Sequence, residues 1–266
     1  MSRLLQVAFL IIGIAASWQL ILATPDKNSA VLLEESFDSA ASPLASRLIE
    51  HELISLARNR GPDGSDAIRV SYVGYERGSK RVVVRFPLAD AVTAATLSYD
   101  VCFESDFIWV LGGKLHGLGP KTPVTGGRPR HPEKWSARVT FKSDGHCATY
   151  LYDQHPDKTY GIGDTSPVPV FKKGQWHRVT LEVKLNDAGV ANGHARISVD
   201  GREVVFSKKI KFRESGVPDT DIQLFLFSTF HGGSSPRHAP VDEAGNTVTV
   251  HALFDNLQVT EGISKG

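Results

Sequence analysis

Between residues 135 and 153 the sequence concentrates groups that hold anions and move protons. Read as a strand, Trp135–Phe141 turns Ser136, Arg138 and Thr140 to one face, with Lys142 following in phase, and turns Ala137, Val139 and Phe141 to the other. The next apolar run, Ala148–Asp153, sets Ala148, Tyr150 and Tyr152 on one face. A guanidinium offers a planar donor fork matched to a carboxylate. A phenol donates or accepts a proton, and a neighbouring cation favours the phenolate and so lowers its pKa. A tyrosine pair at i, i+2 is also ordinary sheet packing. The pair therefore carries chemistry only if it shares a face with the arginine.

That condition turns on the hairpin between the two runs. A two-residue turn at Asp144-Gly145 would place Arg138 opposite Leu151 and send the tyrosines to the far face. A loop of odd length, with Gly145 in the left-handed position, would place Arg138 opposite Tyr150 or Tyr152 and bring the polar groups together. A shared site predicts the odd loop or a compensating bulge.

The elements around this hairpin read as strand after strand. Candidates are Ile68–Val73, Arg81–Phe86, Ala95–Phe103, Trp176–Leu185, Ala195–Val199, Glu203–Phe206, Ile222–Phe230 and Val248–Val259. Strict alternation in Arg178–Leu185 marks a half-buried antiparallel strand. Asp144-Gly145, Asn192-Gly193 and Asp200-Gly201 supply turns. About ten strands with no helices between them predict an all-β fold: a two-sheet antiparallel sandwich of jelly-roll type in a single domain, residues 24–266. Helical spacing of Leu48, Ile49, Leu53, Ile54 and Leu56 predicts one short N-terminal helix within Leu44–Leu56. Gly112–Lys134, with six glycines and four prolines, reads as a long loop. It carries Lys114, Lys121, Arg128, Arg130 and Lys134 against the single acid Glu133.

Several stretches together resemble the alginate and glucuronan lyases of polysaccharide lyase family 14. They are Ser98–Phe103, Phe107–Leu118 with its Gly-Gly-Lys-Leu, Trp135-Ser136-Ala137-Arg138, Tyr150-Leu151-Tyr152, Gly174–Val179, Val199-Asp200-Gly201, Phe227–Gly233 and Phe254–Leu257. They fall in order over about residues 65–260. The resemblance implies a jelly roll with a concave groove for a sugar chain. It also implies catalytic roles for Lys114, Ser136, Arg138, Tyr150 and Tyr152. His116 and His231 stand where the family often has a proline and an aromatic, so both are assigned to substrate binding.

The chemistry suits these groups. β-Elimination on a uronate removes the weakly acidic C5 proton and expels the O4 oxygen. Arg138 would neutralise the carboxylate as enolate-like charge develops. Lys114 and the tyrosines would transfer protons, in roles the sequence leaves open, and Ser136 would hydrogen-bond the sugar. Lys121, Arg128 and Arg130 would draw in an acidic polysaccharide.

The bulk composition bounds the partners. Of 266 residues, 30 are basic and 29 acidic, for a net charge of +1. That balance gives no global attraction to nucleic acid or to an anionic membrane. A monomer is expected, with no cofactor and no metal, since the ten histidines show no close ligand pairing. Arg3 followed by the apolar run Leu4–Ala23 predicts a secretory signal over residues 1–23, or a membrane anchor if uncleaved, and hence a secreted, periplasmic or extracellular protein. Export permits a Cys102–Cys147 disulfide, with two buried thiols as the alternative. Two rival functions remain: a non-catalytic carbohydrate-binding jelly roll, and a hydrolase using Glu104-Ser105-Asp106, which lacks a matching second carboxylate.

Overall fold

The computed structural model describes residues 29–39, 42–155, 157–233 and 235–263. The predicted signal or anchor over residues 1–23 lies outside them. Among the described residues no helix is long and apolar enough to cross a membrane.

The described residues form fourteen strands and one α-helix: β1 (Val31–Glu35), α1 (Pro43–Ile49), β2 (Ile54–Ala57), β3 (Ala67–Tyr75), β4 (Gly78–Ser79), β5 (Val82–Val92), β6 (Ala94–Phe103), β7 (Gly112–Gly119), β8 (Ser136–Lys142), β9 (Cys147–Tyr152), β10 (Trp176–Lys184), β11 (Gly193–Val199), β12 (Arg202–Ile210), β13 (Ile222–His231) and β14 (Thr249–Glu261). They form two antiparallel sheets. The larger runs β12-β11-β10-β6-β14-β3-β2, with β1 on β14 and β4 on β3. The smaller runs β5-β13-β7-β8-β9. The all-β jelly-roll sandwich is therefore as the strand pattern predicts.

The core lies between the sheets and follows the alternation. Leu97, Tyr99, Val101 and Phe103 of β6 and Val179, Leu181 and Val183 of β10 meet Ala137, Val139 and Phe141 of β8 and Phe225 and Phe227 of β13, all buried. Phe103, Phe107, Trp109, Phe141 and Phe171 close one end, with Phe103–Phe107 centroids 4.7 Å apart. Such edge-on and tilted contacts suit the ring quadrupoles.

Two expectations need correction, and the cysteine alternative is decided. The helix covers only Pro43–Ile49, started by the Ser42 side chain accepting from the Ala45 N–H. Ile54 and Leu56 instead pair with Val70 and Ile68 in β2, so sheet pairing overrides their helical spacing. Gly112–Gly119 is not loop but the central strand of the small sheet. A Cβ on Gly113 would stand 2.3 Å from the Phe230 carbonyl oxygen, and one on Gly117 2.1 Å from that of Ala137. Close backbone approach, not flexibility, accounts for these glycines. Finally, Cys102 and Cys147 are buried free thiols, held on β6 and β9 in opposite sheets.

Candidate active site

The β8–β9 hairpin has a three-residue loop, Ser143–Gly145, closed by the Lys142 N–H donating to the His146 carbonyl at 2.8 Å. Asp144 and Gly145 both take positive φ, 57° and 78°. A side chain on Gly145 would meet the Phe171 carbonyl oxygen at 2.2 Å, so glycine is required twice over. The odd loop sets Arg138 opposite Tyr150 and Ser136 opposite Tyr152. The Arg138 guanidinium lies 5.3 Å from the Tyr150 ring centre.

Lys114 reaches the same space through a bulge in β7. Lys114 pairs with Thr140, but Gly117 pairs with Arg138, so Leu115 and His116 together oppose the one residue Val139. The Leu115 carbonyl freed by the bulge accepts from Ser228 Oγ at 3.0 Å. After the bulge the parity is reversed. Lys114 faces the groove, Leu115 and His116 face the core, and Gly117 faces the groove again. One continuous row then crosses the sheet, from Arg85 through Leu226, Gly117 and Arg138 to Tyr150. A second row runs from Phe230 through Lys114 and Thr140 to Ala148.

These rows floor a cavity of about 430 Å³. Its charged lining consists of Arg81, Arg85, Lys114, Arg138 and Lys142, with His238 at the rim and no Asp or Glu among the described residues that line it. Lys114 Nζ sits 3.9 Å from the Tyr150 ring centre. Burial, reinforced by Arg138, Lys142 and Arg81, pulls its pKa down to about 7. Tyr150 moves the other way from the expectation. Burial and Tyr152 outweigh Arg138 and the Gly161 backbone, and push its pKa up to about 12. At neutral pH the site thus pairs an amine able to lose its proton with a phenol that keeps its own.

The other expected site residues are placed differently. Ser136 is fully buried and donates to the Val124 carbonyl at 2.8 Å. The Tyr152 hydroxyl accepts from the Gly127 N–H at 2.7 Å. Both side chains fasten segment 123–127 over the end of the groove, where Pro123, Thr125 and Gly126 form part of the cavity wall. Arg130 is almost buried and donates to the carbonyls of Asp153 and Tyr160 at 3.0 and 2.9 Å. It braces the wall rather than facing a ligand. Lys121 is exposed and ion-paired with Asp219 at 3.1 Å, outside the cavity lining. Arg128 is exposed and also outside it.

Neither predicted histidine reaches the groove. His116 stacks on Phe227 with centroids 4.1 Å apart, and burial pushes its pKa down to about 3. The bulge is what turns it inward. His231 lies on the core face of β13, where its Nε2 meets the Ile108 carbonyl oxygen at 2.8 Å. Alternation from Phe225 and Phe227 already assigns position 231 to the core. The same reasoning finds what the sequence reading passed over: Arg81, Val83 and Arg85 share one parity on the edge strand and all line the cavity. Glu104 and Asp106 lie elsewhere. Glu104 is paired with Arg60 and Arg69, and Asp106 with His251.

Comparison with known proteins agrees with this fold. The alginate lyase Aly36B has the same fold at 23% identity, covering 88% of this chain and 98% of that one, with a TM-score of 0.66. The marine PL-14 alginate lyase from Aplysia kurodai matches at 24% identity over 86% and 98% of the two chains, with a TM-score of 0.65. The endo-β-1,4-glucuronan lyase from the fungus Trichoderma reesei matches at 13% identity over 78% and 86%, with a TM-score of 0.54. No curated protein matches significantly by sequence. The Polysaccharide lyase 14 family matches residues 71–249, and with two thirds of its length accounted for in this way the chain belongs to polysaccharide lyase family 14.

Proposed function

We propose that this polysaccharide lyase acts on a uronic-acid polymer, alginate or glucuronan, and that Lys114, Tyr150 and Arg138 carry the elimination. The observation that supports the reading most is the cavity lining: five Lys and Arg side chains with no carboxylate among its described residues. A cleft of one charge sign concentrates a polyanion. The same lining argues against hydrolysis, which calls for two carboxylates flanking the bond.

Arg138 holds the C6 carboxylate and offsets the charge that builds as C5 loses its proton. The neutral Lys114 amine takes that proton. The C5–H electrons form the C4=C5 double bond, and the C4–O4 bond breaks. Tyr150 gives its proton to the departing O4. Lys114 then holds one proton too many and Tyr150 one too few. Lys114 Nζ lies over the Tyr150 ring, 3.9 Å from its centre, near enough for solvent to carry the proton back and reset the site. The deciding experiment follows ultraviolet absorbance of the unsaturated uronate when the protein, freed of residues 1–23, is given alginate and glucuronan. Elimination alone makes that chromophore. Absence of signal from both polymers, in folded protein, would overturn the proposal.

A further inference from the structure

The small sheet fans out from one edge to the other. The two cross-strand rows are separated by two residues on β8 (Arg138, Thr140) and on β9 (Tyr150, Ala148). On β7 they are three apart (Gly117, Lys114), and on β13 four (Leu226, Phe230). β5 follows β13 residue for residue from Val82 to Phe86. At about 3.3 Å per residue the span grows from roughly 7 Å on β8 to roughly 13 Å on β5. Two arginines stand at the ends of the wide side. Arg85 lies in the Arg138 row, and Arg81 lies over the Phe230 ring at 5.3 Å, beside the Lys114 row. Val83, half exposed, sits between them.

We infer that Arg81 and Arg85 bind the carboxylates of uronate residues flanking the reacting one, with Val83 giving the sugar ring an apolar rest. This rests on the polyuronate reading of the same cavity. Three observations carry it. Both guanidiniums line the cavity, and neither has a carboxylate partner among the described residues, although Glu50 borders a depression next to Arg85. Strand steps of about 4.8 Å set Arg85 three strands, roughly 14 Å, from Arg138. Arg138 lies beside Tyr150, on the side away from Arg85, so with Arg138 on the reacting sugar Arg85 is placed for a neighbouring residue of the chain. Arg81, over the Phe230 ring beside the Lys114 row, and Arg85, in the Arg138 row, stand toward different parts of the groove. The floor between Arg85 and Arg138 is Leu226 and Gly117, an uncharged and low path for the polymer.

The test compares wild type with Arg81→Gln, Arg85→Gln and the double variant. Lys121→Gln is the control, because it removes the same charge outside the cavity. Turnover is measured on alginate and glucuronan over a range of salt. Affinity is measured separately by retardation in gels containing alginate or carboxyl-reduced alginate. We expect KM on the preferred polymer to rise roughly 3- to 10-fold per arginine, with kcat kept within about twofold. Salt dependence should flatten and alginate retardation fall, while carboxyl-reduced alginate shows no difference from wild type. Unchanged KM and retardation in folded variants would overturn the inference. So would an equal effect of Lys121→Gln, or a fall in kcat alone. A wild type that binds alginate without cleaving it would overturn the elimination chemistry and leave the arginine roles to be judged by retardation.

Discussion

Replacing Lys114 with methionine should remove activity and make the protein more stable, and pH should separate the two effects. The side chain keeps nearly the same length and loses its charge. In the folded protein burial and neighbouring cations lower the lysine pKa from 10.5 to about 7. At about 1.4 kcal/mol per pH unit this is a penalty of roughly 5 kcal/mol on the charged form. The ammonium faces an open cavity where solvent screens it, so about 2 kcal/mol is the expected net gain. The folded pKa lies below the unfolded one, so from about pH 7 to 10.5 the unfolded chain holds more protons. The penalty on wild type is complete below pH 7 and fades toward pH 10.5. Calorimetry at pH 6 should show Tm higher by roughly 4–8 °C in Lys114→Met. At pH 10 the difference should have nearly closed. A lower Tm at pH 6, or a gain equal at pH 6 and pH 10, would refute the placement of Lys114 among buried cations.

Other expectations follow from the same geometry. The acid limb of kcat/KM should have its midpoint near pH 7, set by Lys114, and Lys142→Gln should move it to higher pH by removing a neighbouring cation. Gly117→Ala should cost about 1–3 kcal/mol in denaturant unfolding and most of the turnover, since its methyl would fall 2.1 Å from the Ala137 carbonyl oxygen and 2.6 Å from the Arg138 Cα. Ser136→Ala should cost about 1–2 kcal/mol and speed proteolysis of segment 123–127, because the Val124 carbonyl loses its buried donor.

The architecture was legible because its strands are half-buried and alternate. β6, β8, β10 and β13 show a two-residue period that survives without knowledge of partners. β7 was not legible for the opposite reason. Its glycines answer to backbone atoms of β8 and β13, which lie far away in sequence and leave no local signature. The hairpin could be narrowed to two parities, and the demand for a shared face selected the observed one without choosing between Tyr150 and Tyr152 as the partner of Arg138. His116 was misplaced because a bulge shifts parity, and nothing in Gly-Gly-Lys-Leu-His-Gly announces one. His231 was a different failure, since the alternation through Phe225 and Phe227 was available. The loop cations were misjudged because charge is visible in a sequence while its partner is not. Arg130 and Lys121 already had carboxylate partners, and among the described residues Arg81 and Arg85 had none.

The bulge in β7 bears on how such a groove could change by inheritance. Counted from Lys114 without a bulge, His116 would stand opposite Arg138 and project an imidazole into the floor that Gly117 now leaves bare. Loss of Leu115 or His116 would remove the bulge but keep Lys114 opposite Thr140 and Gly117 opposite Arg138, so the floor would survive with one core side chain fewer. A slip in the register of β7 is what would exchange a hydrogen atom for a ring at the centre of the cleft, with Arg138, Tyr150 and the hairpin untouched. A point substitution at position 117 has no such route, because any side chain there runs into the neighbouring backbone. Groove depth in this sheet is therefore set by the register of β7 against β8, which decides the residue that faces Arg138.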